Sequence, residues 1–62
     1  MTRIEALERE AILDALHRTA GDVGGAAAHL GMSRATVYRR IKHFGITGAY
    51  RRIASQSENH AR

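Results

Sequence analysis

An all-α fold is predicted for this 62-residue chain by three features of its sequence. A capping box, Thr2 with Glu5, opens an apolar stripe that persists for about four helical turns. A Gly31-Met32-Ser33 turn separates two further helical segments. The last of these, from Met32 to Ile46, reads as a capped, basic, amphipathic helix. Together they describe one small helical domain.

In the first helix each side chain of the T-x-x-E box satisfies a backbone donor left free at the start of a helix. Ile4, Leu7, Ala11, Ile12, Ala15 and Leu16 then recur at spacings of three and four, so the helix is expected over residues 3–19. Leu13 falls outside this stripe, with Ala6, on a second and weaker apolar edge. That edge reads either as a contact between two copies or as an exposed leucine of no consequence.

Gly21 closes the first helix, and the Asp22 carboxylate is suited to cap the next. The second helix is expected over residues 23–30, with Val23, Ala26, Ala27 and Leu30 inward. Gly24 and Gly25 each cost about 1 kcal/mol in a helix relative to alanine. Their presence points to close backbone approach or to a loosely formed first turn. Ala26 to Ala28 allow a neighbouring helix to pack closely. Gly31 can take a positive φ, Met32 can plug the angle, and Ser33 can cap the third helix. That helix is expected over residues 34–44, stopping at Gly45. Val37, Ile41 and Phe44 share its apolar face, while Arg34, Thr36, Arg39, Arg40, Lys42 and His43 occupy the remainder. Two short helices set at such a tight angle make a helix-turn-helix.

Charge is divided unevenly along the chain. Residues 1–30 hold three basic against five acidic side chains, and residues 31–62 hold seven against one. The basic half is the one that would meet a polyanion. A solvated basic face with no partner is the plain alternative for any single arginine. Cations and hydroxyls gathered on one helix behind a turn argue against it.

These residues resemble the DNA-binding domain of the Fis family, also found at the C-terminus of NtrC-type enhancer-binding activators. The resemblance covers Ile4 to Ile46. It rests on an E-x-x-x-I-x-x-A-L helix (Glu8, Ile12, Ala15, Leu16), a Gly21-Asp22 corner, and A-A-x-x-L-G ending at Leu30 and Gly31. From Ser33 to Ile46 the chain fills every position of S-R-x-T-[LV]-Y-R-[RK]-[IL]-K-x-[FY]-G-I. It departs at Gly24 and Gly25, where longer polar residues are more usual, and in the tail after Thr47. The resemblance implies double-stranded DNA as partner, a homodimer formed through the N-terminal helices, and bent sites. A transcription regulator or nucleoid-type architectural factor, cytoplasmic and nucleoid-associated, is the expected function. A protein-interaction module docking an acidic partner is the alternative.

Groove geometry assigns the residues their roles. The N-terminal residues of the second helix of such a motif reach base edges, while the preceding helix and turn rest on phosphates. Ser33 and Thr36, hydroxyls on the first turn, suit phosphate oxygens. Arg34 and Arg39 are the candidates for base readout, because a guanidinium can bridge O6 and N7 of guanine. Arg40 and Lys42 are assigned to the DNA backbone, and His43 is placed to touch phosphate. Tyr38 reads equally as a sugar-phosphate contact or as partial core. For the dimer, Ile4, Leu7, Ile12, Leu13 and Leu16 are the candidate contacts.

Other classes find little support. There is no cysteine, and His17, His29, His43 and His60 are not paired at the i, i+4 spacing of a helical metal site; no metal or other cofactor is expected. No nucleophile, base and orienting group occur in a credible arrangement, and no glycine-rich phosphate loop is present, so neither an enzyme nor a small-molecule site is expected. No apolar run approaches the length of a membrane span. A chain this small buries only about 60% of its unfolded surface, and only Tyr38, Phe44 and Tyr50 supply aromatic bulk. Association between chains is therefore expected as well.

The basic tail over residues 47–62 is the least determined segment. Thr47 can cap a short helix that returns Tyr50, Ile53 and Ala54 to the core with Arg51 and Arg52 facing DNA, whereas Ser55 to Arg62 is polar and low in bulk. A partly ordered turn to Ala54 with a mobile end is the expectation. Met1 directly before the capping box fits both a natural start and the output domain of a longer regulator.

Overall fold

The computed structural model describes residues 1–60 and contains four helices: α1 (Arg3–Arg18), α2 (Val23–Leu30), α3 (Arg34–His43) and α4 (Thr47–His60). Among the described residues there is no strand. The helix-turn-helix is α2 and α3, laid against α1, with α4 packed across α1 and α3.

The caps at Thr2 and Ser33 form as expected. Thr2 Oγ1 accepts from the Glu5 amide at 3.1 Å, and the Thr2 amide donates to Glu5 Oε1 at 2.9 Å. Ser33 Oγ accepts from the Thr36 amide at 3.1 Å. Gly31 adopts φ 71°, and Met32 returns its amide to the Ala27 carbonyl at 2.9 Å, which ends α2 and sets the turn. The end of α1 is less expected. Ala20, at φ 55°, precedes Gly21 at φ 84°, so a residue with a Cβ carries part of the left-handed corner at a cost of about 1 kcal/mol. Thr19 holds this corner together, its one hydroxyl proton within reach of either the Ala15 carbonyl at 2.9 Å or the Asp22 carbonyl at 3.1 Å. Asp22 occupies the N-cap of α2 but makes no side-chain capping bond. Its carboxylate lies over Gly25, where an added Cβ would come 2.9 Å from Oδ2.

The core is aliphatic: Ile12, Ala15, Leu16, Val23, Ala26, Ala27, Val37, Ile41, Ile46 and Ile53 are buried, with Leu13, Leu30, Met32, Phe44, Ala49 and Tyr50 packed around them. Two of the expected dimer contacts are thereby corrected. Ile12 and Leu16 have 0% exposure within the single chain, because the face that periodicity marks as apolar is the one α2, α3 and α4 cover. Leu13 is half-buried against that core. Only Ile4 and Leu7 of the five are exposed, at 79% and 63%.

The tail also differs. α4 continues through His60 instead of ending near Ala54, and Ile46, not Thr47, precedes its first turn; the Ile46 carbonyl accepts from the Tyr50 amide at 2.9 Å. Its order comes from packing, since Ala49, Tyr50 and Ile53 recur on one face and meet α1 and α3. Ala61 and Arg62, part of the segment expected to be mobile, lie outside the described residues. Among the described residues no helix is long and apolar enough to cross a membrane.

Candidate nucleic-acid interface

The third helix divides its non-core residues into three strips, and each strip has a different neighbour. Val37 and Ile41 face inward with the half-buried Phe44. Opposite them, Ala35, Arg39 and Lys42 recur at spacings of four and three and are exposed.

On this outward side the first turn is internally braced. Ser33 Oγ lies 2.8 Å from Thr36 Oγ1, and Arg39 Nη2 donates to Thr36 Oγ1 at 3.2 Å. The two hydroxyls and the guanidinium thus form a chain along one edge of α3, holding Arg39 beside the helix start. Such bracing lowers the rotamer entropy that a contact made by Arg39 would cost. Thr36, Arg39, Arg40 and His43 together line a shallow open cleft.

The strip facing α1 carries Arg40 and His43. Arg40 Nε stands 3.6 Å from Glu8 Oε1, and His43 Nε2 stands 3.6 Å from Glu5 Oε2. Arg40 Nε is buried without a hydrogen bond, so the ion pair with Glu8 is a close approach, not a bonded one. His43 also lies edge-on to Phe44, with ring centroids 5.1 Å apart. Arg40 and His43, expected at phosphates, are therefore turned toward the carboxylates of α1. Glu5 is held below the usual carboxylate range, first by the Thr2 amide and hydroxyl and then by His43. The role of Glu5 and Glu8 was not anticipated. Their i, i+3 spacing, matching that of Arg40 and His43, is the signal that carried it.

The remaining strip holds Arg34 and Tyr38. The Arg34 side chain lies across the backbone of Gly24, where an added Cβ would come 2.9 Å from Nε and 3.2 Å from Cζ. This close approach accounts for a glycine at that position. Tyr38 is 53% exposed and meets Tyr50 of α4 edge-on, with centroids 6.5 Å apart and planes at 89°. Burial, and then Tyr38 beside it, pushes the Tyr50 hydroxyl above the ordinary phenol range. Tyr38 is thus half packing and half surface.

Among the described residues Arg34, Arg39 and Lys42 enter no ion pair. Among the side chains described, which do not include those of residues 57–60, no three His, Cys, Asp or Glu gather as a metal would need.

Residues 3–44 match the family model described as "Bacterial regulatory protein, Fis family". The chain belongs to the Fis family. Its helix-turn-helix is that of a DNA-binding transcription regulator. Over 46 residues it is 56% identical to the propane 2-monooxygenase operon transcriptional activators MimR of Mycolicibacterium goodii and of Mycolicibacterium smegmatis. That similarity takes in 74% of this chain but 8% of each relative's length. No solved structure matches the chain. The Fis-family match ends at the C-cap of α3, so α4 lies wholly outside it.

Proposed function

We propose that this Fis-family domain binds double-stranded DNA as a homodimer, inserting α3 into the major groove to regulate transcription. The observation that carries the reading is the outward strip of α3, where Arg39 and Lys42 are exposed and enter no ion pair among the described residues, while Glu5 and Glu8 of α1 approach a different strip. A groove about 12 Å wide accepts an α-helix, and a helix presented in this way offers guanidinium and ammonium groups to it. Arg39 reads a base edge, joined by Arg34 once that side chain swings off Gly24. Ser33, Thr36 and Lys42 hold phosphates, and Tyr38 borders the sugar-phosphate edge. Arg40 and His43 orient α3 against α1 and reach phosphate only from the cleft they share with Thr36 and Arg39.

The dimer forms through the exposed apolar residues of α1, Ile4 and Leu7, with Met1 and Ala11 beside them. Two recognition helices related by a twofold axis read a pseudo-palindrome, whereas one reads only a few base pairs. The function is binding and not catalysis, exercised in the cytoplasm on the nucleoid. It is exercised either by the chain alone or as the DNA-reading end of a longer activator.

Binding of a mixed-sequence duplex, followed as a function of salt, tests the reading. Affinity falls by orders of magnitude between 50 and 200 mM salt when several phosphates are neutralised. Arg39→Ala relaxes sequence preference by about 1–3 kcal/mol, while Lys42→Ala weakens all duplexes about equally and lowers the salt slope by about 1. Absence of a salt-dependent complex, with capture of an acidic protein instead, assigns the basic helix to a protein partner.

A further inference from the structure

The helix beyond the family domain carries two adjacent arginines, and the fold sends them to different sides. Arg51 and Arg52 are both exposed. Arg52 borders Ala49 and Gln56 on the surface of α4 by the three- and four-residue rule, and these three line a cleft with His17 of α1 and Ile53. Arg52 therefore belongs to the side of α4 that closes on α1, away from α3.

Arg51 belongs to the other side. It follows Tyr50, whose ring meets Tyr38 of the recognition helix, and it borders Ala54 by the same spacing rule. Ala54 is the residue packed against the α1–α2 corner, where a Cβ added to Gly21 would come 2.8 Å from the Ala54 Cα. Just past that corner come the start of α2 and the Arg34 side chain lying over Gly24. The edge of α4 bearing Arg51 is thus continuous with a surface made by the beginning of α2, Arg34 and Tyr38. In a helix-turn-helix the helix before the recognition helix crosses the DNA backbone. Among the side chains described, which do not include those of residues 57–60, Arg51 has no acidic partner. The Asp22 carboxylate at the start of α2 is folded over Gly25.

We propose that Arg51, and not Arg52, makes an additional DNA-phosphate contact that extends the interface from α3 onto α4. The proposal rests on DNA being the partner of α3. The contact is to the phosphate backbone and carries no base preference, because Arg51 lies on a helix that packs beside the recognition helix and not within it.

The test compares the whole chain with its Arg51→Ala, Arg52→Ala and Arg51→Lys variants, titrated against one mixed-sequence duplex across a salt series. For the parent chain log affinity falls linearly with log salt. Arg51→Ala lowers the slope by about 0.9 per subunit, weakens all duplexes about equally, and leaves the order of preferred sites unchanged. Arg51→Lys keeps the parent slope, and so does Arg52→Ala. Melting curves of all four chains show that α4 still packs. An unchanged slope in Arg51→Ala, while the parent binds with steep salt dependence, overturns this assignment and leaves the function of α3 standing. Equal losses in Arg51→Ala and Arg52→Ala overturn it too, showing that only net charge matters. A parent chain without salt-dependent binding overturns the function itself, and this contact with it.

Discussion

Arg40 Nε lies 3.6 Å from Glu8 Oε1, one turn away from where His43 Nε2 lies 3.6 Å from Glu5 Oε2. Because the lower-numbered acid faces the higher-numbered base, α1 and α3 run past each other in opposite directions, joined by a two-rung ladder. The side chains are roughly one-third to one-half exposed, so the Arg40–Glu8 rung is worth at most about 1 kcal/mol. In urea denaturation, Glu8→Ala lowers stability by less than about 1 kcal/mol, and a double-mutant cycle with Arg40→Ala gives a coupling of about 0.2–1 kcal/mol. Strict additivity of the two changes excludes the rung as an interaction.

The corrected α1 face separates folding from association. Leu16 is fully buried, and Leu16→Ala costs about 2–5 kcal/mol, comparable to the roughly 3–5 kcal/mol that one core of this size supplies. Circular dichroism of this variant shows little helical cooperativity on heating. Leu7→Ser, at an exposed site, changes the stability of a single chain by about 0.5 kcal/mol or less but shifts sedimentation toward monomer. An unaltered sedimentation profile removes Leu7 from the contact between copies.

Gly24 separates helix propensity from recognition. Alanine there gains about 0.8–1.0 kcal/mol of intrinsic helix preference and requires only the flexible end of Arg34 to move. Gly24→Ala therefore melts at the parent temperature or above it, while the sites it selects from random duplexes change. Identical selected sites and affinity show that the resting place of Arg34 has no bearing on what it reads.

Acid weakens the start of α1. The Glu5 carboxyl is held below the ordinary carboxylate range by the Thr2 amide and hydroxyl, so the ionised form is favoured by folding. The associated stability is present above the ordinary carboxylate range and is lost as pH falls through the lower folded value. Melting temperatures of the parent chain and of Glu5→Gln differ by a constant amount near neutrality and converge below that range. Parallel curves down to strong acid contradict the capping role of the Glu5 carboxylate.

Local signals made most of this fold legible in the sequence. The box at Thr2 and Glu5, the Gly31 turn and the Ser33 cap act within a few residues, so each can be read from a short window. The spacing of Val37, Ile41 and Phe44 likewise oriented α3. What could not be read depends on which surfaces meet. Periodicity marks Ile12 and Leu16 as apolar without saying whether their own chain or a second copy covers them. α4 has few apolar residues and a polar end, and its order derives from packing against α1 and α3. Asp22 sits at the right position for a cap but turns toward Gly25, a choice made by the Thr19 corner. In the site, residue types mark the cations, but only the fold sorts Arg39 and Lys42 from Arg40 and His43, which approach the carboxylates of α1.

The first two turns of α1 have two audiences. Ile4 and Leu7 present bare hydrocarbon to the outside, and Glu5 and Glu8, each one residue further along, grip the recognition helix. Whatever covers that hydrocarbon lies one residue away, along the same helix, from the carboxylates that approach Arg40 and His43. In the proposed dimer, the contact between copies and the contact α1 makes with α3 would share a single stretch of two turns.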